Sequence, residues 1–456
     1  TPTTQIYTLS LHDALPIFFA YQEEAPVFTG AEHPLRGFRN GRGEPVIPVE
    51  GYDPETLGPE DGVLPRELMN PEAFSRKGSI ANWEAYPDYI QGDFYSLKNI
   101  HTGDGDGAAF RPSPALKALT ACYQYWISYA DIDGFWLDTV KHLEPGATTY
   151  FVTQIHEYAK TLGKNNFYVI GEITGGFNFA IDTMRKTGID AALGINAVQD
   201  ILENTAKGYA DPTVFFNLFK NSELLGEDEY KWYRDNVVTM FDDHDMVVQR
   251  DAKSRFCADK AVEKLLLNAL FLNLMSPGIP CVYYGTEQAF DGSGGSDKFV
   301  RETMFEGGFG AFRTEGRHFF DTRHPVYRGL KKMIALRKEH PTLTQGRLYQ
   351  REVAYEGGGF ELPRKIGEGR FTGLVAWSRI FSRDEMVLLV NCDLENARTA
   401  RVVVDGELHG EGDVFRCVFS SVPGEGSFEC PVTVEDGRTT VRVTVPAHGC
   451  TALKKK

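Results

Sequence analysis

Three acidic residues stand where a parallel α/β barrel keeps its chemistry. Asp138 closes the run GFWLD, Glu172 closes YVIGE, and Asp245 follows TMFDDH. Each ends a short apolar stretch of strand character, and in barrels the carboxyl ends of the strands carry the active site. Asp138 and Glu172 are 34 residues apart, about one strand–helix unit. Glu172 and Asp245 are 73 apart, about two units. A lone acid at a strand end is commonly a helix cap or half of an ion pair. Three in phase can point into one mouth. Cleavage of a glycosidic bond needs such a set. One carboxyl donates a proton to the leaving oxygen while an ionised partner about 5–5.5 Å away attacks the anomeric carbon with retention. A third can stabilise the cationic transition state.

The elements that must position these acids are visible as periodicity. Leu116, Leu119, Tyr123, Trp126, Ile127 and Ala130 recur at helical spacing. A strand follows at 134–140. The next helix carries Phe151, Ile155, Tyr158 and Leu162 and stops at Gly163. Further strands are expected at 167–170, 191–195, 237–241 and 281–284. The apolar run 265–275, broken by Asn268 and Asn273, reads as a buried helix. Strand–helix alternation predicts a parallel sheet clothed in helices. Five strands are found, whereas a closed (β/α)8 barrel has eight, so the first three units are expected to be missing.

Upstream, residues 26–71 hold 8 Pro and 7 Gly. That density predicts an irregular excursion without long helices or central strands. Residues 1–17 lack the basic start of a signal peptide. They resemble translated adapter sequence and are set aside as a non-native leader. After a helix at 326–338, residues 342–456 alternate apolar and polar in runs at 374–377, 386–390, 400–404, 414–418 and 440–445, as in a small antiparallel sandwich with no catalytic role.

Bulk properties narrow the partners. The net charge of −15 argues against nucleic acid and anionic membrane, and a neutral polymer would not be repelled. No run of eighteen apolar residues is present. Seven cysteines, an odd number with no CxxC pair, give zinc no support and favour free thiols in a reducing compartment. Cys417 and Cys430 could pair in an oxidising one. Localisation cannot otherwise be read.

The motifs themselves resemble the α-amylase superfamily of glycoside hydrolases. Residues 134–142 (GFWLDTVKH) are similar to its nucleophile strand, which makes Asp138 the nucleophile and places Lys141 and His142 on the acceptor side. Gly171-Glu172 resembles the acid/base strand. FDDHD at 241–245 is similar to the stabiliser motif, with Asp245 as stabiliser and His244 as a sugar-hydroxyl ligand. GIPCVYYGTE at 278–287 resembles the last barrel strand. The resemblance implies a partial (β/α)8 barrel at 108–341, an irregular domain B at 18–107, a C-terminal all-β sandwich at 342–456, and an oligo- or polysaccharide substrate with α-glucosidic bonds. It also implies a structural calcium, with Asn99 (where the family often has Asp) and the backbone carbonyl of His142 as ligands. Three departures stand out. The family's first motif is absent, position 243 is Asp instead of Asn, and Trp136 replaces an arginine two residues before the nucleophile. Loss of that cation weakens the case for activity, though Trp136 could serve as a sugar platform. A transglycosylase or isomerase uses the same trio, and a silent glycan-binding homologue would keep only the fold.

Overall fold

A computed structural model describes residues 18–21, 26–33, 35–39, 45–48, 66–94, 98–219, 234–246, 249, 252–305, 319–422, 424 and 428–456. The leader 1–17 lies outside them. The chain divides into two compact units, Thr1–Ile195 and Asn196–Lys456.

The first unit corrects one expectation. The Pro/Gly-rich stretch contributes to an antiparallel sheet of β1 (Phe18–Tyr21), β2 (Leu35–Arg39) and β3 (Pro45–Pro48), with β2 central. Its prolines fall at 45 and 48, on the edge strand, where a missing N–H interrupts no ladder on the open side.

Helix α1 (Pro114–Ala130) starts where Ser113 Oγ accepts the Leu116 N–H and Pro114 occupies the first turn. Its buried face carries Leu116, Thr120 and Ile127. Then come β4 (Gly134–Leu137), α2 (Pro145–Thr161), β5 (Tyr168–Gly175), α3 (Phe177–Thr187) and β6 (Ala191–Ile195). The three strands form one parallel sheet in the order β4-β5-β6, with Trp136 opposite Ile170 and Glu172 opposite Leu193. Parallel neighbours need a crossover, and α2 and α3 supply it.

The second unit opens with α4 (Asn196–Lys207). Two short parallel strands follow, β7 (Val238–Thr239) and, after the buried helix α5 (Leu266–Met275), β8 (Ile279–Pro280). The last strand was expected at 281–284. It falls two residues earlier because Cys281 N–H makes the final bond to Thr239 O, and the chain then turns onto Arg255. That guanidinium is fully buried, lies 4.4 Å over the Tyr283 ring and donates to Tyr284 O. Among the described residues there are thus five parallel barrel-type strands, three in the first unit and two in the second.

Helix α6 (Pro325–Glu339) leads into nine antiparallel strands between Arg347 and Lys455. Strands from both ends of the sheet order share one core: Leu374, Val387 and Leu389 pack with Val402, Val441 and Val443. This is the sandwich that the alternation predicts. It docks on α5 through Asn268, which donates to Asn391 O, and through the buried Arg379, which donates to Met275 O. No helix among the described residues is long and apolar enough to cross a membrane.

Candidate active site

In the first unit, β4 ends at Leu137 and Asp138 begins the turn beyond it. Thr139 has φ 53°, a left-handed conformation that is strained for a β-branched residue. The turn is held from the next strand. Glu172 on β5 is 6% exposed, and its Oε2 accepts the Thr139 N–H at 3.1 Å. This bond fixes the Glu172 carboxyl against the residue that follows Asp138. Close packing beneath it requires Gly171, where a Cβ would come within 2.8 Å of Ile189 and 3.1 Å of Val140. Asp138 is half-buried and, among the described residues, has no Lys or Arg partner. Trp136 is half-buried in β4.

Lys141 and His142 sit in the short helical turn after Asp138. Lys141 is buried, and its Nζ donates to Glu84 at 2.7 Å, with the Tyr89 ring 5.9 Å below it. His142 Nδ1 donates to Tyr89 O at 2.6 Å, and its ring meets Trp83, Tyr89 and Phe94 edge-on. Both side chains thus fasten the segment 83–94 to the turn after Asp138. A cavity of about 520 Å³ in this unit is lined by Lys77, Asn99, His101, Asp104, His142 and Glu144 among others, but not by Asp138 or Glu172. Burial and the nearby Asp106 charge push the Glu144 carboxyl up, opposed by Lys77.

Calcium takes six to eight oxygen ligands, usually including carboxylates. The Asn99 N–H donates to Asp93 Oδ1 and its Nδ2 to Ile90 O, both at 2.9 Å, and its amide oxygen would bring no charge to a cation. The other Asp93 oxygen faces Lys98 Nζ at 3.4 Å. Among the described residues no three His, Cys, Asp or Glu side chains converge on a metal position. The donor set around Asn99 and His142 does not fit the ion.

The second unit holds Asp245 quite differently. His244 lies between two acids, with Nδ1 2.7 Å from Asp243 and Nε2 3.3 Å from Asp245 Oδ2. Burial pulls its pKa down, but the hydrogen bond and charge of Asp243, with the charge of Asp245, outweigh that and raise it. Arg301 pairs with Asp245 Oδ1, and its Nε donates to His244 O at 3.0 Å. Lys253 Nζ donates to Asp245 O at 2.6 Å and to Met246 O at 3.1 Å. Asp242, wholly buried, accepts the Phe256 N–H at 2.7 Å and the Thr286 hydroxyl at 2.8 Å. Burial pushes its carboxyl up, opposed by Arg255. Sequence reasoning missed Arg301 and Lys253. The available signal was weak: Asp297 and Arg301 stand four residues apart in a segment with no motif of its own.

A buried carboxyl, that of Glu172, is thus bonded to the turn that follows Asp138 on the adjacent parallel strand, the end at which α/β barrels carry their sites. The family model for the α-amylase catalytic domain matches residues 109–346, and the chain belongs to that family. It is 27% identical over 412 residues to an α-amylase of Streptomyces lividans, covering 86% of this chain and 40% of that protein. It is 24% identical over 305 residues to a cyclomaltodextrin glucanotransferase of Klebsiella oxytoca, covering 60% of this chain and 42% of the relative. The chain therefore spans about two fifths of the length of the curated relatives it matches. A solved Anoxybacillus α-amylase shares the fold, with a TM-score of 0.62 at 20% identity over 85% of this chain and 71% of that one.

Proposed function

We propose that this chain carries the catalytic carboxylates of a retaining glycoside hydrolase acting on α-glucosidic bonds of an α-glucan or malto-oligosaccharide. The observation that carries the reading is the Thr139 N–H to Glu172 bond, which binds the acid/base candidate to the nucleophile's turn. Asp138 attacks the anomeric carbon as Glu172 protonates the leaving oxygen, giving a covalent glycosyl–Asp138 ester. Glu172 then takes a proton from water, which releases the sugar with its configuration retained. Asp245 offers negative charge to the oxocarbenium-like transition state. His244, whose ring Asp243 holds through Nδ1, takes the role of a sugar-hydroxyl ligand in this reading. Trp136 supplies an apolar ring in place of the family's arginine.

The similarity to cyclomaltodextrin glucanotransferases favours a second outcome on the same intermediate, in which a sugar hydroxyl replaces water as acceptor. Digesting maltoheptaose and following the anomeric protons by NMR tests the reading. First-formed α-anomers support retention, and the product lengths report how much sugar acts as acceptor. First-formed β-anomers, or binding without bond cleavage, contradict the proposal.

A further inference from the structure

We propose that the ammonium of Lys98 takes the structural place of a metal cation beside the nucleophile's turn, so that this region of the fold holds together without calcium. The Lys98 side chain is 2% exposed and the Asp93 side chain 0%. Neither charge reaches water, and each would be costly to bury alone. Asp93 uses one oxygen for the Asn99 N–H and presents the other to Lys98. The carboxylate that a divalent ion would need is therefore neutralised from within the chain.

Space leads to the same assignment. Lys98, Asn99 and Thr102 on one side and Thr139, His142 and Leu143 on the other enclose a gap of about 10 Å³. That is at the lower limit for one water molecule, and Lys98 lines it together with Asn99 and His142, the two residues expected to hold the ion. The gap adjoins Thr139, the residue after Asp138. A tethered cation at this place does what a bound one would do: it balances Asp93 and ties it to Lys98 beside the catalytic turn. Because the cation is covalently part of the chain, no chelator can remove it.

Two measurements on the full chain test this. Purified protein, dialysed against calcium and then against metal-free buffer, is assayed for bound metal by mass spectrometry and melted with and without EDTA. The expected result is no retained calcium and no change in Tm with chelator or with millimolar calcium. One retained calcium per chain, or a Tm that falls with EDTA, overturns the proposal. The second measurement uses Lys98→Met, which keeps the length of the side chain and removes its charge. It leaves Asp93 buried without its cation, so Tm should fall by several degrees and calcium should not restore it. An unchanged Tm in this variant also overturns the proposal. If Lys98→Met does not fold, the wild-type chelator result decides.

Discussion

The turns that follow Asp138 and Asp245 share a backbone device and differ in electrostatics. In each, the residue after the acid has a positive φ, 53° at Thr139 and 42° at Met246. Such strain persists only where the surroundings over-determine it. At Asp138 the fixing contact is one neutral N–H given to a buried carboxylate. At Asp245 it is a clamp of cations, Arg301 on the carboxylate and Lys253 on two backbone carbonyls. The contrast separates two tasks. A nucleophile must keep a lone pair free to form a bond. A stabilising carboxylate must only stay charged and in place, and a guanidinium serves both needs.

The sharpest way to break the comparison is Glu172→Gln. The amide keeps an oxygen for the Thr139 N–H, so the fold should be retained, but no proton can be donated. Turnover of malto-oligosaccharide should drop by about 10²–10⁴-fold. Release of fluoride from maltosyl fluoride in the first, ester-forming turnover needs little protonation and should be largely spared. An equal loss on both substrates would show that Glu172 acts only as a brace for the turn.

The next test makes the two turns alike. Trp136→Arg returns a cation to the strand before Asp138. A nearby positive charge favours the carboxylate, so the acidic limb of the rate profile should move down by about one pH unit and turnover should rise. If Trp136 is a packed side chain with no room for a cation, Tm falls with no gain in rate. An unchanged rate profile in a folded variant ends the idea that this position tunes the nucleophile.

The smallest effect is expected from unclamping Asp245. The Arg301 side chain is 49% exposed, so its ion pair is screened. Arg301→Gln should reduce kcat/KM by only about two- to five-fold, less at high salt. Its charge also opposes protonation of His244, so the variant should raise the His244 pKa further, as read from the imidazole resonances. The sign for stability follows. His244 has a raised folded-state pKa, so its contribution is full below about pH 6.5 and is lost as pH rises through the folded value. His244→Gln should remove that slope from the melting curves, and a persisting slope would assign it to another group.

Much of this was legible in the sequence because the signals were local. The stripe from Leu116 to Ala130 reads as a helix, of which Leu116 and Ile127 are buried and Trp126 is exposed, and the run ending at Glu172 reads as a strand, since each pattern closes within a few residues. What stayed hidden depended on distant partners. Arg301 reaches Asp245 across 56 residues, Lys141 reaches Glu84 across 57, and neither pairing leaves a periodic trace. The sheet at 18–48 was hidden for another reason. The density of proline and glycine hides it, and the informative feature is that Pro45 and Pro48 fall on the edge strand. Lys98 looks like a surface residue in the sequence, and only its enclosure with Asp93 shows its role.

The central claim is that Asp138 forms a covalent bond to sugar beside Glu172. It is tested most directly by trapping that bond. The chain is incubated with a 5-fluoro-α-glucosyl or -maltosyl fluoride, which forms the ester readily and releases it slowly, then digested and sequenced by mass spectrometry. The account predicts one added glycosyl group on the peptide containing Asp138, its absence in Asp138→Asn, and slower release in Glu172→Gln. A glycosyl group on another residue, or none when the substrate is demonstrably consumed, contradicts it.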